Sequence, residues 1–124
     1  MGKISDTRRI ADNQAMAVCG SIRSSSRKLN LVAQTIRGLS AEKAVAELSF
    51  SKKRIAKVVL EVLKSAIANA ENNHKLNIDK LVVSEAYTGN GIMMKRMRAR
   101  AKGRGAKILK PFSKLTVVVT ERGE

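Results

Sequence analysis

Between Lys95 and Lys114 the chain carries nine cations: Lys95, Arg96, Arg98, Arg100, Lys102, Arg104, Lys107, Lys110 and Lys114. No Asp or Glu occurs anywhere from Ala86 to Thr120. The two cation types do different chemistry. The arginines bring planar forks that grip a phosphate through two parallel hydrogen bonds, and the lysines add compact, strongly hydrated point charge. Gly103 and Gly105 let a backbone come close to another backbone. Met93, Met94 and Met97 offer pliable apolar contacts. The set is suited to holding a polyanion and makes no bond-breaking centre. Basic runs at chain ends are commonly solvated tails, but this one is internal and bracketed by strand patterns, which gives it a structural context.

The rest of the composition points the same way. The 124 residues form one domain and include 25 Lys+Arg against 10 Asp+Glu, a net charge of +15. Hydrophobic residues reach 44%, enough for a folded core. Such charge implies an anionic partner: a nucleic acid, an acidic membrane surface or an acidic protein. Cys19 is the single cysteine and His74 the single histidine, so disulfide frameworks, multi-cysteine zinc sites and histidine metal triads are excluded, and no cofactor or metal is expected. Asp79 and Glu85 flank a strand but stand beside no His, Cys or glycine-rich phosphate loop, so nothing assembles a nucleophile, base and orienting group, and an enzyme is not expected. No apolar run is long enough to span a membrane, and the chain is read as cytoplasmic and reduced. Phe50, Tyr87 and Phe112 are the only aromatics, too few for a sheet that stacks bases across its face.

The elements that must position the basic segment follow from periodicity. Residues 1–15 are polar and predicted to be a flexible extension, with 16–124 a single domain. Residues 16–22 alternate as a short strand with Met16, Val18 and Ile22 on one side and Gly20 at a possible bulge. Ser24-Ser25-Ser26 starts a helix whose apolar stripe is Leu29, Val32, Ala33 and Ile36, closed by Gly38. Ser40 starts a second helix with Glu42 in its first turn and Ala41, Ala44, Val45 and Leu48 inward. Ser51 is predicted to open the third helix, running to about Asn72 on Ile55, Val58, Val59, Val62, Leu63, Ala66, Ile67 and Ala70. Lys80–Thr88 and Lys114–Thr120 read as strands. The class is α+β: three helices packed on a small three-stranded antiparallel sheet, with residues 86–113 as a long extended hairpin arm tipped between Gly89 and Met97. At about 3.3 Å per residue, ten residues a side reach roughly 30 Å.

The residues alone leave two nucleic-acid readings open, a structural RNA-binding protein and an architectural DNA-binding protein using basic β-arms. The motifs add a resemblance. Arg23-Ser24-Ser25-Ser26-Arg27-Lys28-Leu29 runs into Leu31-Val32-Ala33 and Ile36-Arg37-Gly38. Ser65-Ala66-Ile67-Ala68-Asn69-Ala70-Glu71-Asn72 follows. Then come Met94-Lys95-Arg96, Arg100-Ala101-Lys102-Gly103-Arg104 and Ile108-Leu109-Lys110, before Leu115-Thr116-Val117-Val118-Val119. In these stretches, over about residues 16–121, the chain resembles the bacterial large-subunit ribosomal protein twenty-two family. It departs from the family pattern at Ala99, where proline is frequent, and at Pro111-Phe112-Ser113-Lys114, where a basic-Thr-Ser-His stretch is familiar.

The resemblance implies a structural constituent of the large subunit that assists its assembly, present in one copy per ribosome and bound to large-subunit ribosomal RNA. It implies a globular part near the peptide exit and a hairpin lining the nascent-peptide tunnel, facing large-subunit protein four at the constriction. Arg23, Ser25, Arg27, Lys28 and Arg37 would then form the globular RNA surface. Lys95, Arg96, Arg98, Arg100, Lys102, Arg104, Lys107, Lys110 and Lys114 would bind RNA along the arm, with Arg98, Arg100, Lys102 and Arg104 on its returning strand. Gly91, Met93, Met94, Lys95 and Arg96 would form the tip in the tunnel.

Overall fold

The computed structural model describes residues 11–122; most of the expected N-terminal extension, residues 1–10, lies outside the described residues. In chain order the elements are β1 (Gln14–Ile22), α1 (Ser26–Ile36), α2 (Ala41–Phe50) and α3 (Ala56–Asn72). A single 3-10 turn (Ile78–Lys80) follows, then β2 (Leu81–Ala99), a second 3-10 turn (Ala101–Gly103) and β3 (Gly105–Glu121). The three strands form one antiparallel sheet in the order β1-β3-β2. This is the α+β class the sequence predicts, with β2 and β3 extended far beyond the body.

β3 occupies the centre, and its composition fits that position. Leu115, Val117 and Val119 are fully buried against the helices, and Thr116 and Val118 on the other face are nearly so, because a strand flanks each side. A continuous apolar run is what a strand buried on both faces needs. β1 departs from its predicted orientation. It starts at Gln14, inside the expected extension, and it buries Ala15 and Ala17, while Val18 is 56% exposed and Met16 only half-buried. The Asn69 side-chain amide of α3 donates to the Met16 carbonyl at 3.0 Å. A helix held that close to a strand leaves room beneath it for alanines and not for larger side chains. The pairing of β1 with β3 then shifts between Cys19 and Ile22, around Gly20, which returns Ile22 to the core at 3% exposure.

Ser25 caps α1 by accepting from the Lys28 N–H, and Ser40 caps α2 by accepting from the Lys43 N–H. Gly38 ends the α1 segment with φ +80°, a conformation that favours glycine. Its N–H donates to the Val83 carbonyl, while the Val83 N–H donates to Leu39, both at 2.9 Å, which ties the helical layer to β2. α3 starts later than predicted. Ser51 is extended and closes α2 by donating its N–H to Leu48, and its hydroxyl accepts from the Lys53 N–H in a local turn. The chain enters α3 only at Ala56, with no side-chain cap. A serine that begins a helix and one that ends a helix look alike in sequence, and here the second use prevails.

Ser113 joins the arm to the body. It is fully buried, and its hydroxyl donates to the Ser24 carbonyl at 2.6 Å. Ser113→Ala removes the hydroxyl that donates to that carbonyl. The expected cost is about 1–2 kcal/mol, a fall in Tm of roughly 5 °C, with helix content unchanged by circular dichroism. A Tm within a degree of the parent would show that the bond contributes little.

Candidate nucleic-acid interface

The body contributes a cleft where three elements meet. Arg23 follows β1, Ser24, Ser25 and Lys28 surround the start of α1, and Arg54 comes from the linker between α2 and α3. Leu109 and Pro111 of β3 close the remaining side, around about 560 Å³. Three cations thus converge beside the N-terminal end of an eleven-residue helix, whose partial positive charge adds to theirs. Arg23 and Arg54 are also braces. Arg23 donates to the Pro111 carbonyl at 3.0 Å and lies 5.6 Å over the Phe112 ring, while Arg54 donates to the Arg23 carbonyl at 3.4 Å. Arg27 and Lys28 are exposed on the first turn of α1.

Two predicted contacts turn out to have internal work. The Ser25 hydroxyl is engaged as the helix cap. Arg37 donates from Nε to the Ala86 carbonyl at 2.6 Å and from its fork to Asn30 at 2.7 Å. It holds the end of α1 on β2 with two of its five N–H donors, and the rest of its exposed guanidinium faces solvent. Arg54 joins Arg23 and Lys28 in the cleft; with Lys52 and Lys53 it forms a basic run at the expected start of the third helix, a reading that leaves open a solvated face or a second RNA contact.

The arm is a two-stranded ribbon. Its pairs run Met93 with Pro111, Met94 with Lys110, Lys95 with Leu109, Arg96 with Ile108, Met97 with Lys107, Arg98 with Ala106 and Ala99 with Gly105. Partners in an antiparallel ladder share a face. One face therefore carries Met93, Lys95, Met97, Lys107, Leu109 and Pro111, continuing the helix-bearing side of the sheet. The other carries Met94, Arg96, Arg98, Ile108 and Lys110, continuing the open side, where exposed Lys114 also stands opposite Gly89. Both mid-arm arginines lie on one face and both mid-arm lysines other than Lys110 on the other. Residues 92–105 are exposed throughout.

The turn is at Ala101–Gly103, which corrects the predicted tip. Gly91, Met93, Met94, Lys95 and Arg96 lie on the outgoing strand, between the base and the middle of the arm. Arg98 is on that strand too, Arg100 and Lys102 belong to the turn, and only Arg104 begins the return. The physical reason is in the backbone: Lys102 has φ 62° and Gly103 has φ 71°, consecutive left-handed residues that reverse the chain. The Arg100 N–H donates to the Arg104 carbonyl at 2.6 Å and closes the turn. Gly91 has another task. A Cβ there would lie 3.0 Å from the Phe112 carbonyl oxygen. The register shifts between Asn90 and Met93, so Gly91 and Ile92 bulge opposite Phe112.

The described residues thus present a basic ribbon anchored to a small α+β body, with a cation cleft at its root. Among the described residues no cluster of His, Cys, Asp or Glu suits a metal ion, and no helix is long and apolar enough to cross a membrane. Comparison with known proteins gives the family. Residues 17–120 match the model of the family described as ribosomal protein L22p/L17e. The chain is 61% identical to the large ribosomal subunit protein uL22 of Rhodospirillum rubrum, over all of this chain and 98% of that one. It is 63% identical to the uL22 of Maricaulis maris, over 98% of this chain and 96% of that one. With the uL22 of Rhizobium etli the identity is 58%, over 98% and 94%. The chain belongs to the ribosomal protein L22p/L17e family, whose members are structural and not enzymatic. That membership displaces the DNA-binding alternative.

The turn geometry predicts a local effect. Gly103→Val places a β-branched residue at positive φ, so the ribbon should fray from its end. Amide exchange at Met97, Arg98, Ala106 and Lys107 should speed up by tenfold or more, while Val117 and Val119 keep their protection. Unchanged exchange along the arm would mean that the turn does not hold it together.

Proposed function

We propose that this chain, a structural protein of the large ribosomal subunit in the bacterial cytoplasm, binds the subunit's RNA at two places. The cleft of Arg23, Lys28 and Arg54, with Arg27 beside it, seats the body on the RNA surface near the peptide exit. The arm runs inward from there and lines the nascent-peptide tunnel, with large-subunit protein four facing it at the constriction, one copy per ribosome. The observation that carries this reading is the arm's unneutralised charge. Nine cations line a ribbon that holds no carboxylate and buries little of its own apolar surface, so an anionic wall is the environment that stabilises it.

The two faces of the ribbon divide the work. Arg96 and Arg98, with Lys110, lie on the side that meets RNA, where bidentate grip on phosphate is useful. Lys95 and Met97 lie on the opposite side, turned to the lumen beyond the cleft, where undirected contacts suit a passing chain of any sequence, while Leu109 and Pro111 on that side border the cleft at the root. Arg100, Lys102 and Arg104 form the leading end. Arg37 and Ser25 act as positioning residues within the body. Residues 16–124 act as one domain with 86–113 as its arm, and Gln14 and Ala15 add to its first strand, with Asn13 bonded to Glu121 just before it.

The test is binding to protein-free large-subunit ribosomal RNA across a salt series. Arg100→Ala, Lys102→Ala and Arg104→Ala combined should leave Tm unchanged. The affinity should fall, and the slope of log K against log salt should flatten by roughly two to three. An unchanged slope would show that the leading end makes no phosphate contacts. Wild-type binding that disappears at moderate salt with no specific component would remove the RNA reading as a whole.

A further inference from the structure

Phe50 is the most exposed large apolar side chain among the described residues, at 86%. Isolated exposed hydrophobics are ordinary, but this one differs in three ways. It is aromatic, in a chain with only two other aromatic residues, of which Phe112 lies under the Arg23 guanidinium. It is the last residue of α2, with only Ser51 between it and three consecutive exposed cations, Lys52, Lys53 and Arg54. The linker holding those cations also reaches the RNA-facing cleft, since Arg54 both lines that cleft and bonds the Arg23 carbonyl. The ring borders a shallow groove with Leu39, Lys43, Ala46 and Glu47.

We infer that Phe50 is a stacking platform for one unpaired base of RNA, with Lys52 and Lys53 holding the adjoining phosphates. The inference rests on the reading that the protein binds ribosomal RNA and adds a site outside the arm and the cleft. An aromatic face beside consecutive cations is the arrangement that recognises single-stranded nucleic acid: the ring stacks on the base, and the cations track the backbone. Lys43 and Glu47 offer a donor and an acceptor at the edge of the groove; a base can use both, whereas a phosphate can use only the lysine. A protein partner fits less well. The apolar contribution is a single ring over a half-buried leucine and an alanine, flanked by like charges that a protein would have to neutralise.

The chain has no tryptophan, so Phe50→Trp in the full-length protein creates a single fluorescent reporter at the site. On protein-free large-subunit ribosomal RNA its emission should be quenched, and acrylamide should reach it several-fold less well than in the free protein. Phe50→Leu, apolar but unable to stack, should bind about tenfold more weakly at every salt concentration. The salt slope should stay that of the parent, because no phosphate contact is lost. Lys52→Ala with Lys53→Ala should flatten the slope instead. If Phe50→Trp binds the RNA normally and stays as accessible as in the free protein, the stacking site is overturned and the RNA reading survives. Shielding seen only in assembled subunits, and not on bare RNA, would also overturn it by showing a protein neighbour over the ring. Failure of the parent protein to bind the RNA would remove the foundation beneath both.

Discussion

A two-stranded ribbon satisfies half of its backbone groups and buries almost nothing, so it is marginal in water without a third partner. Here the ribbon also bears like charges along its length, and each added cation raises the cost of holding the two strands side by side. Everything else in the molecule bears on that constraint. The body is a device for gripping the two strands at their root: β3 sits centrally between β1 and β2, its residues from Leu115 to Val119 are buried on both faces, and its register with β1 is continuous through them, while that with β2 shifts once, at Ser84, before running unbroken from Glu85 to Asn90. The pairing that begins there sets the alignment of the arm far from any core.

The root is reinforced where that alignment is most easily lost. The buried hydroxyl of Ser113 bonds Ser24, the Ser26 hydroxyl donates to Asn90, and Thr88 donates to the Ser26 carbonyl. These short polar links join the start of α1 to both strands just before they leave the body. Arg23 adds a longer one to Pro111. The same few residues therefore do two things. They fix the angle at which the arm departs, and they place the start of α1, with Lys28 beside it, next to the arm's base. The cleft adjoins the arm's base because one set of hydrogen bonds builds both.

Much of this was legible in the residues. The helix stripe at Leu29, Val32, Ala33 and Ile36 is buried as its spacing requires, and so is that of α3 except at half-buried Val58 and Ile67, and Ser25 and Ser40 cap as their type predicts. What failed to read out depended on neighbours that sequence spacing does not contain. Met16 and Val18 are larger than Ala15 and Ala17, and size alone favours them for the core; the close approach of α3 at Asn69 decides otherwise. Ser51 resembles a helix start, but α2 claims it first. Arg37 and Arg23 look like free cations until the carbonyls of Ala86 and Pro111 come within reach through the fold. The tip was within reach of simple counting: Leu81 pairs with Glu121, and the midpoint of that pair falls at position 101. The expected tip, from Gly91 to Arg96, came from the resemblance and lies nearer the base.

That misread glycine has the larger consequence. At Gly91 and Ile92 two residues of β2 stand opposite Phe112 alone, so the bulge advances β2 by one position relative to β3. In a ladder of period two, a one-residue advance exchanges the faces of every outgoing side chain beyond it. Without the bulge, Arg96 and Arg98 would share a face with Lys107 and Leu109, and Lys95 with Lys110 and Ile108. With it, both arginines join Lys110 on the open side of the sheet, and Lys95 joins Met93, Met97 and Leu109 on the side of the helices. Gly91 fits there because its missing Cβ is what lets the bulged backbone lie against the Phe112 carbonyl. One glycine at the root thus determines which chemistry each side of the arm presents along its whole length.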